Sequence, residues 1–238
     1  MKTVVLTAVL LTACLPVLAA TPSDTGAGAA ASIYTYALEL APDGSIQSLS
    51  PMQPIEDSTR QELDRHIQGW IFQPAQIDGV PVATSTYLRV GAAIPANSPG
   101  DLQILSATTG PAPEQLRMPD YPVRAQRRGE QGVVVLELRL DETGRVVDRS
   151  VYDRGDRVAR DLMEAATAAS RDWRFYPEKI DGTAVASTVL MPVCFISGEP
   201  DPSTCTWRGP SEKNFSRKTV LTIDPAARVI TGLAYEGN

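Results

Sequence analysis

The sequence predicts an α+β chain of two small two-layer units, each a three-stranded antiparallel sheet packed on one helix, with a β-hairpin at the C-terminal end. Three observations carry this. First, Trp173, Phe175 and Pro177, followed by Asp181-Gly182, repeat an earlier Trp70, Phe72, Pro74 and Asp78-Gly79 at a constant offset of 103. Ile77/Ile180, Val82/Val185 and Ala83/Ala186 keep the same offset, and Leu38/Leu138, Leu40/Leu140 and Gly44/Gly144 keep an offset of 100. Second, each of these stretches is preceded by a period-2 apolar run, an Asp-x-x-Gly or Asp-Gly turn and a second run, the pattern of a hairpin. Third, between hairpin and tryptophan lies an apolar stripe at helical spacing.

In the first unit (32–94), Ile33 to Leu40 and Ile46 to Leu49 form the hairpin around Pro42-Asp43-Gly44. Asp57-Ser58 opens a helix, and Ser58 with Gln61 has capping-box spacing. Leu63, Ile67 and Trp70 form its apolar stripe, and Pro74 cannot continue a helix because it lacks the N–H and clashes with the preceding turn. Thr84 to Val90 is the third strand. Residues 95–113, rich in Pro, Gly and Ser, read as a linker that holds one short apolar run, Leu102 to Leu105.

In the second unit (114–198), Pro122 to Arg128 forms a short helix closed by Gly129. Gly132 to Leu140 and Arg145 to Val151 form the hairpin, and a helix from about Asp156 to Asp172 presents Val158, Leu162, Ala165, Ala169 and Trp173 on one face. Val185 to Ile196 is the last strand. Residues 199–238 are an extension in which Val220 to Ile230 reads as a hairpin turned at Asp224, either a third partial copy matching Leu138 to Val147 in its strand-turn-strand pattern or an unrelated hairpin, and expected to pair with or pack on one of the two sheets. Trp173 and Phe175 belong to the helix–sheet core. The function of such a unit is to be sought at its sheet edge, where N–H and C=O groups stand unpaired.

The formal charge of −6 over 238 residues excludes a nucleic-acid or anionic-lipid partner as the governing feature. Residues 1–20 read as a cleavable export signal, with Lys2, the apolar Val4 to Leu11 and small residues up to Ala20, followed by a disordered small-residue leader, 21–31. Leu11-Thr12-Ala13-Cys14 has the order of a lipobox, so a lipoprotein anchored through Cys14 is the alternative; an uncleaved membrane anchor is the third reading. After cleavage Cys194 and Cys205 remain. In an oxidising compartment they are expected to pair across the Gly198-Glu199-Pro200 turn, against the alternative of two free thiols.

No catalytic or metal constellation stands out. His66 is the one histidine, no Gly-x-Ser-x-Gly elbow or phosphate loop occurs, and the Asp-Gly pairs are turn formers. No cofactor is expected. Arg124, Arg127 and Arg128 form a small basic patch that reads as a solvated face.

Residues 118–196 resemble the C-terminal domain of the TonB family. The resemblance rests on Tyr121-Pro122, Gly129-Glu130-Gln131-Gly132-Val133, Asp141-Glu142-Thr143-Gly144-Arg145-Val146, Trp173-Arg174-Phe175-Tyr176-Pro177, Asp181-Gly182 and Pro192-Val193. The first unit resembles a degenerate copy without the Tyr-Pro helix. The resemblance implies a non-enzymatic periplasmic domain that grips an envelope protein or peptide by adding it as a strand to its sheet edge, with an outer-membrane TonB-dependent transporter as one such partner. The gripping edge would comprise Val189, Leu190, Met191, Val193 and Phe195, with Tyr121 and Pro122 nearby. The chain departs from a family energy transducer in having neither a clear membrane helix nor a long Pro-rich spacer, and Pro192 removes one donor from the docking strand. A transducer with a retained N-terminal anchor and an envelope enzyme without a recognisable motif are the alternative functions.

Overall fold

The computed structural model describes residues 32–93, 102–152, 158–197, 205–210 and 213–230. The expected signal, the lipidation position Cys14, the leader and the helix start at Asp156 lie outside the described residues. The chain has a mixed α/β fold made mostly of strands.

Strands β1 (Ser32–Leu40) and β2 (Ile46–Pro51) pair antiparallel, with Leu38 opposite Leu49. Their turn needs glycine: Gly44 has φ +83°, and a Cβ there would lie 2.3 Å from the Phe72 carbonyl oxygen. Helix α1 (Asp57–Gln68) buries Leu63 and Ile67. Its cap is Glu56 rather than Ser58. The Glu56 carboxylate accepts from the Ser58 and Thr59 amides at 3.1 and 3.0 Å, so a longer side chain two residues earlier does the capping. The Ser58 hydroxyl first, and then these amide bonds, hold the Glu56 carboxyl down at about 2. Strand β3 (Phe72–Gln73) follows, then a ribbon of β4 (Gln76–Ile77) and β5 (Val80–Pro81) turned by Asp78 and Gly79 at φ +52° and +80°. Positive φ at both central residues is the requirement of a type I′ turn. Strand β6 (Thr84–Ala93) pairs along the whole of β1.

Strands β7 (Gln103–Gly110) and β8 (Ala112–Gln115) come next. The short helix α2 (Val123–Arg127) ends at Gly129 with φ +65°. Strands β9 (Gly132–Leu140) and β10 (Val146–Val151) form the second hairpin. Helix α3 (Arg160–Ala169) buries Leu162 and Ala166 and tightens into a 3₁₀ turn, Ser170–Asp172. Then come β11 (Arg174–Tyr176), the ribbon β12 (Lys179–Ile180) and β13 (Thr183–Ala184), and β14 (Ser187–Phe195). The described extension holds β15 (Trp207–Arg208), β16 (Asn214–Phe215), β17 (Leu221–Thr222) and β18 (Arg228–Val229).

Two larger sheets result. In one, β2, β1 and β6 lie in that order; in the other, β10, β9 and β14 do. Leu38 stands opposite Thr86, and Leu138 opposite Val189, so the offsets of 100 and 103 carry one pair onto the other. Each sheet packs its long helix over its own core. One core joins Leu38, Leu40, Leu63, Ile67, Phe72 and Leu88; the other joins Leu138, Leu140, Leu162, Ala166, Trp173 and Phe175.

Both sheets are wider than three strands, because the chain covers its own edges. The segment read as a linker contains β7, which pairs with β6 from Tyr87 to Ala93. The remaining end of β6, Thr84 and Ser85, pairs with β12 from the other half of the chain. The expected C-terminal hairpin does not form between its two arms. Strand β17 pairs with β14, while β18 pairs with β3 at Phe72 and Gln73. Each arm finds an open edge elsewhere, and Asp224, expected in the turn, accepts the Thr188 amide at 2.8 Å. The extension is thus a strap across both sheets.

Beneath the strap, Glu178 is fully buried. Its carboxylate accepts from the Thr86 hydroxyl at 2.6 Å and from the Ala226 amide at 3.1 Å, tying the first sheet, the loop before β12 and the strap together. The buried Arg89 donates to the Pro111 carbonyl at 2.6 Å, and burial pushes its guanidinium down to about 10. Burial raises the Glu178 carboxyl above the ordinary value, against the hydrogen bonds and the nearby Arg89 charge. The folded chain therefore holds this proton where the unfolded chain has lost it. The associated stability is complete below the unfolded glutamate value and is lost as pH rises through the raised folded value. Urea unfolding of Glu178→Gln between about pH 4 and pH 8 should lack this downward slope, which the unmodified chain should retain.

Candidate strand-docking edge

Strand β14 lies between β9 and β17. The side chains of Val189, Met191, Val193 and Phe195 all enter the helix–sheet core. Leu190 points to the opposite sheet face, where it packs with Val135 and Trp207. All five expected edge residues are buried, so what β14 can offer a partner is its backbone rather than its side chains.

Alternate residues of an antiparallel strand aim their amides at opposite neighbours. The Thr188 carbonyl accepts from the Ile223 amide at 2.9 Å and its amide donates to Asp224, so Thr188 faces the strap. The register with β9 runs unbroken from Ser187 to Phe195. Leu190, Pro192 and Cys194 therefore face the same outer side. Pro192 sits where its missing N–H takes no bond from the β9 ladder. Strand β17 covers only Val189 and Leu190. Beyond them, the Pro192 carbonyl and the Cys194 amide and carbonyl lie along the outer side.

The end of this edge is tied down by packing and hydrogen bonding. Tyr121 stacks edge-to-face on Phe195 with ring centroids 5.5 Å apart, and its hydroxyl donates to the Glu130 carbonyl. Pro122 caps α2 immediately beside it. Cys194 and Cys205 form the expected disulfide, with Cα atoms 5.7 Å apart. That bond pins the segment carrying Trp207 to the outer sheet face. Closing a loop of this size stabilises by about 2–3 kcal/mol. Reduction should therefore expose residues 205–222 to proteases well before residues 117–196 unfold, as mass mapping of limited digests would record.

The corresponding edge of the first sheet is closed, since β7 and β12 between them cover β6. This difference was not legible in the sequence, where β7 lies inside a Pro- and Gly-rich stretch. Of the basic patch, Arg128 is engaged by Glu130 and Asp161 at 2.8 and 2.9 Å. Among the described residues no group of three metal-ligating side chains comes together, and no helix is long and apolar enough to cross a membrane.

Trp173 fixes where α3 ends and β14 becomes reachable. It is 1% exposed and donates from Nε1 to the Arg117 carbonyl at 2.8 Å. Gly144 (φ +74°) lets the β9–β10 turn approach Phe175 so closely that a Cβ would lie 1.7 Å from its carbonyl oxygen. These contacts join the Tyr-Pro segment, the hairpin turn and the Trp-x-Phe-x-Pro motif into one body.

Comparison with known proteins places that body. Residues 117–196 match the family model of the Gram-negative bacterial TonB protein C-terminal. Protein TonB from two strains of Xanthomonas campestris pv. campestris is 35% identical over 91 residues, which are 38% of this chain and 40% of that protein. Protein TonB of Vibrio cholerae is 32% identical over 77 residues, 32% of this chain and 31% of that protein. The chain thus spans less than half the length of these relatives. The matched segment begins at the carbonyl that receives the Trp173 indole and ends one residue after β14: residues 117–196 are a TonB C-terminal domain.

Proposed function

We propose that this is a non-enzymatic envelope protein that binds an extended segment of another envelope protein by strand addition at the outer edge of β14. The observation that carries this reading is that edge itself. It is the last strand of the TonB C-terminal domain, it offers backbone rather than side chains, and only two of its residues are paired by the chain's own β17. The incoming strand takes the place of β17. Main-chain bonds supply the affinity and the buried core fixes the geometry. The first sheet is a degenerate copy whose equivalent edge is filled by β7. It acts as a platform on which the strap is anchored.

The chain is exported to the periplasm by residues 1–20, and an outer-membrane TonB-dependent transporter is the partner class that the TonB relationship favours. The relatives are TonB proteins, which keeps the energy-transducer reading as the second one; mass spectrometry of the mature N-terminus separates the two. A start near Thr21 belongs to the exported binder, and a retained Met1 to the transducer. The binding reading is tested with photoreactive residues at Thr188 and Ile196, which flank the edge without entering the core. Adducts with an envelope protein are expected at both, and adducts obtained only from probes on β2 or β10 would refute the edge.

A further inference from the structure

Each tryptophan borders a groove. Beside Trp70 lies one of about 690 Å³, lined in part by Ser45, Gln68 and Ile71. Beside Trp173 lies one of about 380 Å³, lined in part by Arg145, Arg171 and Arg174. The offsets of 100 and 103 put Ser45 at Arg145, Gln68 at Arg171 and Ile71 at Arg174. The same hollow therefore occurs twice, once with three guanidinium groups and once with none.

These arginines differ from the five that are ion-paired, and unlike Arg117, Arg124, Arg127 and Arg228, which also lack an ion pair among the described residues, they converge on one groove. Arg60, Arg65, Arg128, Arg139 and Arg160 each have a carboxylate within 4.0 Å. Among the described residues no ion pair engages Arg145, Arg171 or Arg174, although Asp172 lines the same groove. Arg145 does help to hold the Asp141 carboxyl below its usual range, after hydrogen bonds from Thr143 and from its own amide. In a chain of net charge −6, three cations round one hollow are a local reversal of sign.

We infer that this groove binds an acidic peptide segment with adjacent Glu or Asp side chains. Guanidinium forks match carboxylates in paired hydrogen bonds. The three arginines come from the β9–β10 turn, the end of α3 and β11, so they can meet more than one carboxylate. The volume equals that of about a dozen waters at roughly 30 Å³ each, several times a single small anion. The apolar lining residues, Val146 and Trp173, are themselves buried, which leaves no apolar floor for an acyl chain.

The test uses the full chain and fluorescein-labelled hexaglutamate at low salt. Saturable one-site binding that weakens with added salt is expected. The triple variant Arg145→Ser, Arg171→Gln, Arg174→Ile copies the first groove and should bind roughly tenfold more weakly or worse. Its thermal midpoint is checked alongside; should it unfold early, the triple Arg→Lys variant keeps the charge, loses the fork and should bind with intermediate affinity. The converse variant Ser45→Arg, Gln68→Arg, Ile71→Arg should raise the stoichiometry from one to two. No binding of hexaglutamate, undiminished binding by a folded triple variant, or an arginine-dependent response only to inorganic phosphate or to phosphatidylglycerol vesicles would overturn the inference.

Discussion

Trp173→Ala is expected to destabilise residues 117–196 by about 3–5 kcal/mol, the cost of emptying the largest site in a packed core. The residue is 1% exposed and sits among Leu138, Leu162, Ala166 and Phe175. Its loss also leaves the Arg117 carbonyl without the indole donor, which adds a polar term to the cavity. A domain of this size has a total stability of about 5–15 kcal/mol, so the change removes a large share of it. The earlier tryptophan supplies an internal comparison. Trp70 is only partly buried and packs beside Phe72 at the rim of the first core. Trp70→Ala should cost less than half as much. Urea unfolding followed by circular dichroism distinguishes the two, and equal losses would contradict the assignment of Trp173 as the clasp of its domain.

The second large effect is functional and comes from a glycine outside the matched domain. Gly110 ends β7 at φ +138°, and a Cβ there would lie 1.7 Å from the Thr222 Oγ1 of β17. Gly110→Ala must therefore push β17 off the position it holds beside Val189 and Leu190. Backbone strain and the lost strap contacts should cost about 1–3 kcal/mol of stability. If β17 occupies the place of a guest strand, partner capture should rise on the order of tenfold, about 1.4 kcal/mol. Thr222→Gly removes the clashing side chain, so the double variant should return toward the original stability and affinity. That non-additivity is the sign of direct contact between the two positions. A drop in capture on Gly110→Ala with stability unchanged would show that β17 assists the guest rather than holding its place.

Much of this architecture was legible because it is local. The Trp-x-Phe-x-Pro motifs, the positive-φ Asp-Gly turns and the helical stripes each report on neighbouring residues, and the repeated spacing made them visible twice. The register between Leu138 and Val189 follows from the same spacing. What escaped was the choice of distant partner. Residues 220–230 have the pattern of a hairpin, but the pattern cannot say that two open edges, β14 and β3, offer each arm a better neighbour than the other arm does. Strand β7 was masked by its Pro and Gly surroundings, and its need arises only from the exposed edge of β6. Glu178 gives no sequence signal at all: it follows Pro177 in the loop before β12, and only the strap over it makes it buried. The expected edge residues do lie on one strand, β14, but their side chains belong to the core and its outer side is half covered.

Amide hydrogen exchange on the full chain, alone and with the partner recovered by crosslinking, tests strand addition most directly. The amides of Thr188, Leu190 and Cys194 face the outer side of β14, and that of Ile223 holds β17 in place. With the partner bound, Cys194 should gain protection, Leu190 should keep it, and Ile223 should lose it as β17 leaves. Continued protection of Ile223 with Cys194 unchanged in the bound complex would contradict the account.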